Sequence, residues 1–309
     1  MSDRCHCAGG LIAVLLMAQI CALCTAETAR HGCAVKDDLG RLIKLDVLPK
    51  RIISLSPSTT EILFAIGAGR LVVAVDDWSD YPPEARRLPK VGPFMRPSIE
   101  AVVKHHPDLI VLASVVLPMS EVETLEGRVR APIFVMSPRR VIDIVSSIER
   151  IGMLVGKQKE AKLVADRMRS DIKRITAMQQ KRFRKPSVFI EVSPPPSLMG
   201  VGANNFIDDA IELAGGYNIM RRLKSRSEFP TVSLEVLMAL NPDVYILARH
   251  GRLNSARALC EVRGRSGFEQ LKAVRMGRVY ALNADLIFRP GPRITSGIAE
   301  LHRFLYGRK

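Results

Sequence analysis

The sequence predicts an α/β chain: two similar lobes with parallel sheets, bridged by one long α-helix, with a cleft between them. Three observations carry that expectation. Strand-like and helix-like segments alternate, the pattern of a parallel sheet covered by helices. One helix–strand unit occurs twice, about half a chain apart. Between the copies lies a helical run of about 25 residues free of Gly and Pro, or about 40 Å of helix at 1.5 Å per residue.

The elements follow in order. Residues 34–47 suit a short hairpin, with Asp38-Leu39-Gly40 as the turn between alternating apolar stretches. Residues 51–55 read as a buried strand and Ser56-Pro57-Ser58 as its turn, followed by a helix over 59–66 that stops at Gly67. A strand over 71–75 runs into a loop carrying Trp78, Asp80, Tyr81, Pro82 and Pro83. The repeated unit comes next. Ser98-Ile99-Glu100 opens SIEAVVKHHPDLIVLAS, and Ser233-Leu234-Glu235 opens SLEVLMALNPDVYILAR. In both, a Ser suited to cap a helix precedes Glu by two, and the apolar helix stops at a Pro seven residues after that Glu. RIISLSP at 51–57 and SVFIEVSP at 187–194 echo one another in the same way.

Between the halves, Val141, Ile144, Val145, Ile148, Ile151 and Leu154 keep helical spacing; after Gly156, Ala161, Val164, Ala165, Met168, Ile172 and Ile175 do the same. The expected organisation is therefore a leader at 1–26, an N-terminal lobe at 27–155, a linking helix at 156–184 and a C-terminal lobe at 185–309. One bridging helix implies limited hinge motion.

The chain has 309 residues, 47% hydrophobic and 25% charged, which excludes collagen-like, disordered and disulfide-scaffold classes. Residues 10–23 are an apolar run followed by small residues and Glu27, the pattern of a secretory leader cut after Ala26. An uncleaved anchor fits less well because the run is short for a bilayer. A lipoprotein through Cys24 fits less well because bulky Leu23 precedes it. Export to the periplasm is the expectation. Four of the six cysteines fall in the leader, which leaves Cys33 and Cys260. In an oxidising compartment these can pair across a long loop, or stay separate; two cysteines alone cannot build a thiolate zinc site.

Enzyme signatures are absent. There is no Gly-x-Ser-x-Gly, no phosphate-loop Gly-Lys-Ser/Thr and no His-Glu-x-x-His. His105 and His106 are adjacent and so point apart on a helix, and no metal site is expected. The net charge of +15 is spread over basic clusters at 181–185, at Arg221, Arg222, Lys224 and Arg226, and around Arg249, Arg252 and Arg257. They lack interleaved aromatics and a continuous stripe, so solvated surface is expected and nucleic acid is not.

Together, RIISLSPSTTEILFAIGAG, DDWSDYPPEA, the two SxE units, IELAGGYNI and LIFRPGPRI resemble the helical-backbone (class III) periplasmic binding proteins, which serve ABC importers of cobalamin, haem and iron siderophores. The resemblance spans nearly all of the chain after the leader. It implies two Rossmann-like lobes and a ligand held between them. It also implies a monomer without cofactor or catalysis, whose cargo is a corrinoid, or else a ferric siderophore or haem. A two-lobed sensor or envelope enzyme is the alternative from another class. Matching the family places Glu100 and Glu235 against arginines of the transmembrane permease. It places Ser56, Pro57, Trp78, Tyr81, Phe94, Leu198, Phe229, Asp285 and Arg289 around the ligand. Planar side chains suit a corrin or porphyrin face, and Asp285 with Arg289 suits peripheral amides or carboxylates.

Overall fold

The computed structural model describes residues 32–94, 96–113, 119–179, 184–251 and 254–307; the expected leader lies outside them. The described chain starts with an antiparallel hairpin, β1 (Cys33–Lys36) and β2 (Leu42–Leu45), around the expected turn. Strand β3 (Ile52–Ser54) leads into α1 (Pro57–Ala65), then β4 (Val72–Val75), α2 (Ile99–Lys104), β5 (Leu109–Ala113), α3 (Met119–Val129) and β6 (Ile133–Met136). These form a four-stranded parallel sheet in the order β4-β3-β5-β6. Every residue of β5 (LIVLA) and β6 (IFVM) is buried, as expected of parallel strands covered on both faces.

Two helices follow, α4 (Val141–Leu154) and α5 (Gln158–Ala177). The second is the linking helix, about 30 Å long at 1.5 Å per residue. It buries Ala161, Ala165, Met168 and Ile175 and turns Lys and Arg outward. Its close approach to α4 depends on Gly152, where a Cβ would lie 2.3 Å from that of Ala161.

The second half repeats the pattern with β7 (Ser187–Ser193), β8 (Met199–Gly200), α6 (Phe206–Leu213), β9 (Tyr217–Asn218), α7 (Leu234–Leu240), β10 (Val244–Arg249), α8 (Ser255–Arg263), α9 (Lys272–Arg275), β11 (Val279–Asn283) and α10 (Ile294–Tyr306). Its sheet runs β11-β10-β7, with β8 antiparallel and β9 parallel to β7. One apolar cluster includes Ile52 and Leu109 of the first sheet, Met168 of α5, and Val188 and Ile246 of the second. The lobes therefore share a continuous core along the linking helix.

Candidate functional site

In a parallel α/β sheet, loops leaving the carboxyl ends of the strands form the ligand-binding edge. Here those loops are 56–57 after β3, 76–81 after β4, 137–140 after β6, 194–198 after β7, 250–251 after β10 and 284–293 after β11.

The N-terminal wall begins with a buried hydroxyl network. Thr59 Oγ1 lies 2.7 Å from both Ser54 Oγ and Ser56 Oγ. Ser56 Oγ also accepts from the Ala113 amide at 3.0 Å, joining the ends of β3 and β5. Thr60 Oγ1 reaches Ser79 Oγ at 2.8 Å, and Ser79 donates to buried Asp76. Burial pushes the Asp76 carboxyl above its ordinary range, against hydrogen bonds from Ser79 and the Trp78 amide. This network fixes the root of a loop whose tip carries Trp78, 66% exposed.

Facing it, Arg289 and Arg293 from the loop after β11 reach across to the N-terminal lobe. Arg289 donates to Asp80 at 2.7 Å and to Glu61 of α1 at 3.3 Å, and pairs with Asp285, four residues earlier, at 3.0 Å. Arg293 donates to both oxygens of buried Glu61, and its guanidinium lies 3.9 Å from the centre of the Tyr81 ring. Burial would raise the Asp80 carboxyl, but the Arg289 hydrogen bond and charge prevail and hold it below the ordinary range. Elsewhere between the lobes, Asp209 of α6 accepts from the Val141 amide at the start of α4 at 2.7 Å. Beside it is a hollow of about 490 Å³ lined by Arg139, Arg140, Asn204, Asp209 and Arg221, among others.

The sequence-derived residues separate into groups. Tyr81, Asp285 and Arg289 are joined by contacts that run through Asp80, Glu61 and Arg293, and Trp78 stands exposed on the same loop as Tyr81. Pro57 opens α1, and Phe94 is half-buried. Phe229 meets Phe288 edge-on at 6.3 Å, so part of its surface is used in packing. Two expectations need correction. Leu198 is 3% exposed within the C-terminal core, among Phe189, Ile219 and Met220, because β8 folds back on β7 and turns it inward. Ser56 is buried with its hydroxyl already hydrogen-bonded, so it shapes the wall from behind. Of the two alternatives open for the cysteines, the structure has them separate: Cys33 on β1 and Cys260 on α8 are both free thiols. Glu61, Asp80 and Arg293 were missed as site residues, although all three fall inside the motifs quoted above. The signal was opposite charge in two motifs far apart in sequence, which has meaning only once the lobes meet.

Glu100 and Glu235 are both exposed, in the first turns of α2 and α7. Ser98 and Ser233 cap these helices, accepting from Ala101 and Val236 at 3.2 and 3.3 Å. A helix that precedes a parallel strand runs opposite to it, so both glutamates lie at the cleft-side end of their lobes. A hydrogen bond from Ser233 holds the Glu235 carboxyl below its ordinary range. Among the described residues, no helix is long and apolar enough to cross a membrane. None of their His, Cys, Asp and Glu side chains form a group of three or more able to hold a metal.

The periplasmic binding protein family model matches residues 52–286. An uncharacterised ABC transporter substrate-binding lipoprotein of Bacillus subtilis is 30% identical over 262 residues, covering 84% of this chain and 80% of its own. A vitamin B12-binding protein of Vibrio parahaemolyticus is 28% identical over 254 residues, 82% of this chain and 88% of its own. A solved periplasmic haem-binding protein from Roseiflexus superposes with a TM-score of 0.73 at 26% identity, covering 83% of this chain and 98% of that one. The family is one of solute-binding proteins that hand small molecules to a permease. Two lobes with parallel sheets, a shared helix and a cleft at the strand ends are its architecture. The chain belongs to the periplasmic binding protein family, class III, as a substrate-binding protein of ABC transporters.

Proposed function

We propose that this protein captures a corrinoid between its lobes and presents it to an ABC importer permease, acting as a monomer and without covalent chemistry. The observation that carries the docking half is the repeat. Glu100 and Glu235 occupy the same position of the same helix–strand unit, exposed, at the cleft-side end of each lobe. Two carboxylates on separate lobes make a two-point, charge-assisted grip suited to arginines of a partner and sensitive to lobe spacing. Against a surface of net charge +15 they are local negative points. The remaining basic charge is solvated surface, and no nucleic-acid partner is proposed.

The corrinoid half is supported by the vitamin B12-binding relative and by an exposed Trp78 on a braced loop, which offers a planar face to a planar ligand. Lobe boundaries at 27–155 and 185–309, a linking segment at 156–184, and a cleaved leader delivering the chain to the periplasm belong to the same reading. The haem-binding neighbour supports a second cargo, haem.

Two experiments test this. Glu100→Lys with Glu235→Lys abolishes uptake in whole cells and leaves ligand affinity unchanged; a matching loss of affinity overturns the docking role. Absorbance titration with cyanocobalamin, haemin and a ferric siderophore identifies the cargo, and silence with cyanocobalamin overturns the corrinoid reading.

A further inference from the structure

We propose that a hollow beside Glu100 is a socket for an aliphatic side chain of the permease, carried next to the arginine that Glu100 receives and flanked by one acidic and one basic residue. This rests on the reading of Glu100 and Glu235 as docking points.

The hollow measures about 390 Å³ and is lined by Arg96, Pro97, Ile99, Glu121, Thr124 and Leu125. Ile99 immediately precedes Glu100 in the first turn of α2, and Glu121 stands in the first turn of α3. Both helices precede parallel strands, α2 before β5 and α3 before β6. Their N-termini therefore share the end of the sheet that carries Glu100, and the hollow lies beside the docking carboxylate.

Its composition is that of an anchoring pocket. Leu125 is buried in the N-terminal core and Ile99 and Pro97 are half-buried, so the deep part is apolar. Arg96, Glu121 and Thr124 are exposed and form the rim. An apolar centre inside a polar rim is where a protein partner gains most from desolvation. Neither rim charge has an ion-pair partner among the described residues. On α5, by contrast, Lys162 pairs with Asp166, Arg169 with Glu149 and Arg174 with Asp171. Opposite charges left free around one pocket select the orientation of an incoming segment that carries the complementary pair.

The repeat supplies the contrast. Leu234 holds in the C-terminal lobe the position that Ile99 holds here. A Cβ on Gly267 would lie 2.6 Å from Leu234 Cδ2, so the turn after α8 sits directly on that side chain. One docking carboxylate thus has an open apolar neighbour, and the other has its neighbour covered by the chain itself. The two contacts are unequal: an apolar anchor adds to the charge pair at Glu100 and slows dissociation there.

The test is co-sedimentation of the chain, purified from its host's envelope, with right-side-out inner-membrane vesicles. The vesicles come from cells that hold the permease and lack this chain. Thr124→Trp fills the hollow from an exposed helical position and is expected to weaken vesicle binding about 10-fold, the effect of losing one anchoring contact. Leu163→Trp, 69% exposed on α5, is the control and binds as wild type does. A second variant disturbs no packing: R96E with E121K reverses the rim at constant net charge and is expected to weaken binding in the same direction. Glu100→Lys with Glu235→Lys abolishes it.

If the double lysine variant is released while Thr124→Trp binds like Leu163→Trp, the socket is overturned and the docking reading stands. A rim reversal without effect, beside a weakened Thr124→Trp, overturns the flanking charges and keeps the apolar socket. Wild type that does not sediment with the vesicles, or a double lysine variant that binds as wild type does, overturns both readings.

Discussion

The two lobes are built from the same unit, and they differ in what they bury beneath the cleft. In each, a Ser caps the helix of the SxE segment, and a residue in the left-handed region ends that segment just before Pro. These are His106 at φ 45° and Asn241 at φ 47°. In each, the Asp after that Pro accepts from the backbone at the start of the central strand. Asp108 takes the Lys50 and Arg51 amides at 2.8 and 2.9 Å, and Asp243 takes the Ser187 amide at 2.9 Å. Counted back from Ser-Pro, however, Ser54 and Glu191 hold the same strand position. Ser54 belongs to a hydroxyl network that runs through Thr60 and Ser79 to buried Asp76. Glu191 is a fully buried carboxylate bound by Tyr245, Arg249 and Arg265. The repeat thus sets the backbone, while the matched strand position is free to carry a hydroxyl on one side and a carboxylate held by two arginines on the other. The ionic side is the one that depends on every partner being present.

That contrast sets the size of the expected effects. Glu191→Ala leaves two arginines and a tyrosine hydroxyl facing an empty buried site, and should cost about 3–5 kcal/mol in urea unfolding. Ser54→Ala removes one member of a hydroxyl network and should cost about 1 kcal/mol. Equal losses would erase the distinction between the lobes.

The interlobe bridge comes next. Glu61→Ala strands Arg293 and weakens the hold on Arg289, and should cost about 3 kcal/mol because Glu61 is buried. Spin labels on the two lobes should then report a broader distance distribution. An unchanged distribution would show that the linking helix alone sets the spacing.

The matched aspartates test the shared part. Asp108→Ala and Asp243→Ala should each cost about 1–3 kcal/mol, through backbone amides left without an acceptor. The Asp243 carboxyl also shows a pH effect. Burial would raise it, but Lys272 and Ser187 hold it down at about 2, against an ordinary 3.8. A depressed folded-state value means the contribution is complete above about pH 4 and lost as pH falls toward 2. Asp80 and Glu191 are displaced in the same direction. Thermal melting should therefore hold from neutral pH down to about pH 4 and fall steeply below it, with Asp243→Asn removing part of that slope. The smallest effect is at the caps: Ser98→Ala and Ser233→Ala should each cost about 0.5–1 kcal/mol, and by similar amounts.

Much of the fold was legible because its signals are local. Ser caps, the Pro stop, alternation in the hairpin and the apolar spacing of α4 and α5 each depend on residues within a turn or two. The SxE repeat let one half of the chain interpret the other. Leu198 was misread because loop and core leucines look alike until β8 is seen to fold back on β7. Ser56 was misread because a hydroxyl after a strand can face a ligand or a neighbouring strand end, and the Ala113 amide that takes it is 57 residues away. Cys33 and Cys260 could be numbered but not joined, since pairing depends on distance in space.

The sequence by itself determined two α/β units, their shared helix–strand grammar and the matched glutamates, because periodicity, capping and breaker residues act over a few positions. Only the tertiary structure decided which charges meet across the cleft. Glu61 and Arg293 are 232 residues apart, as are the members of no local motif. Their bond exists because the linking helix and shared core bring two separately folded walls face to face. An ion pair carries no sequence period, so nothing along the chain could announce it.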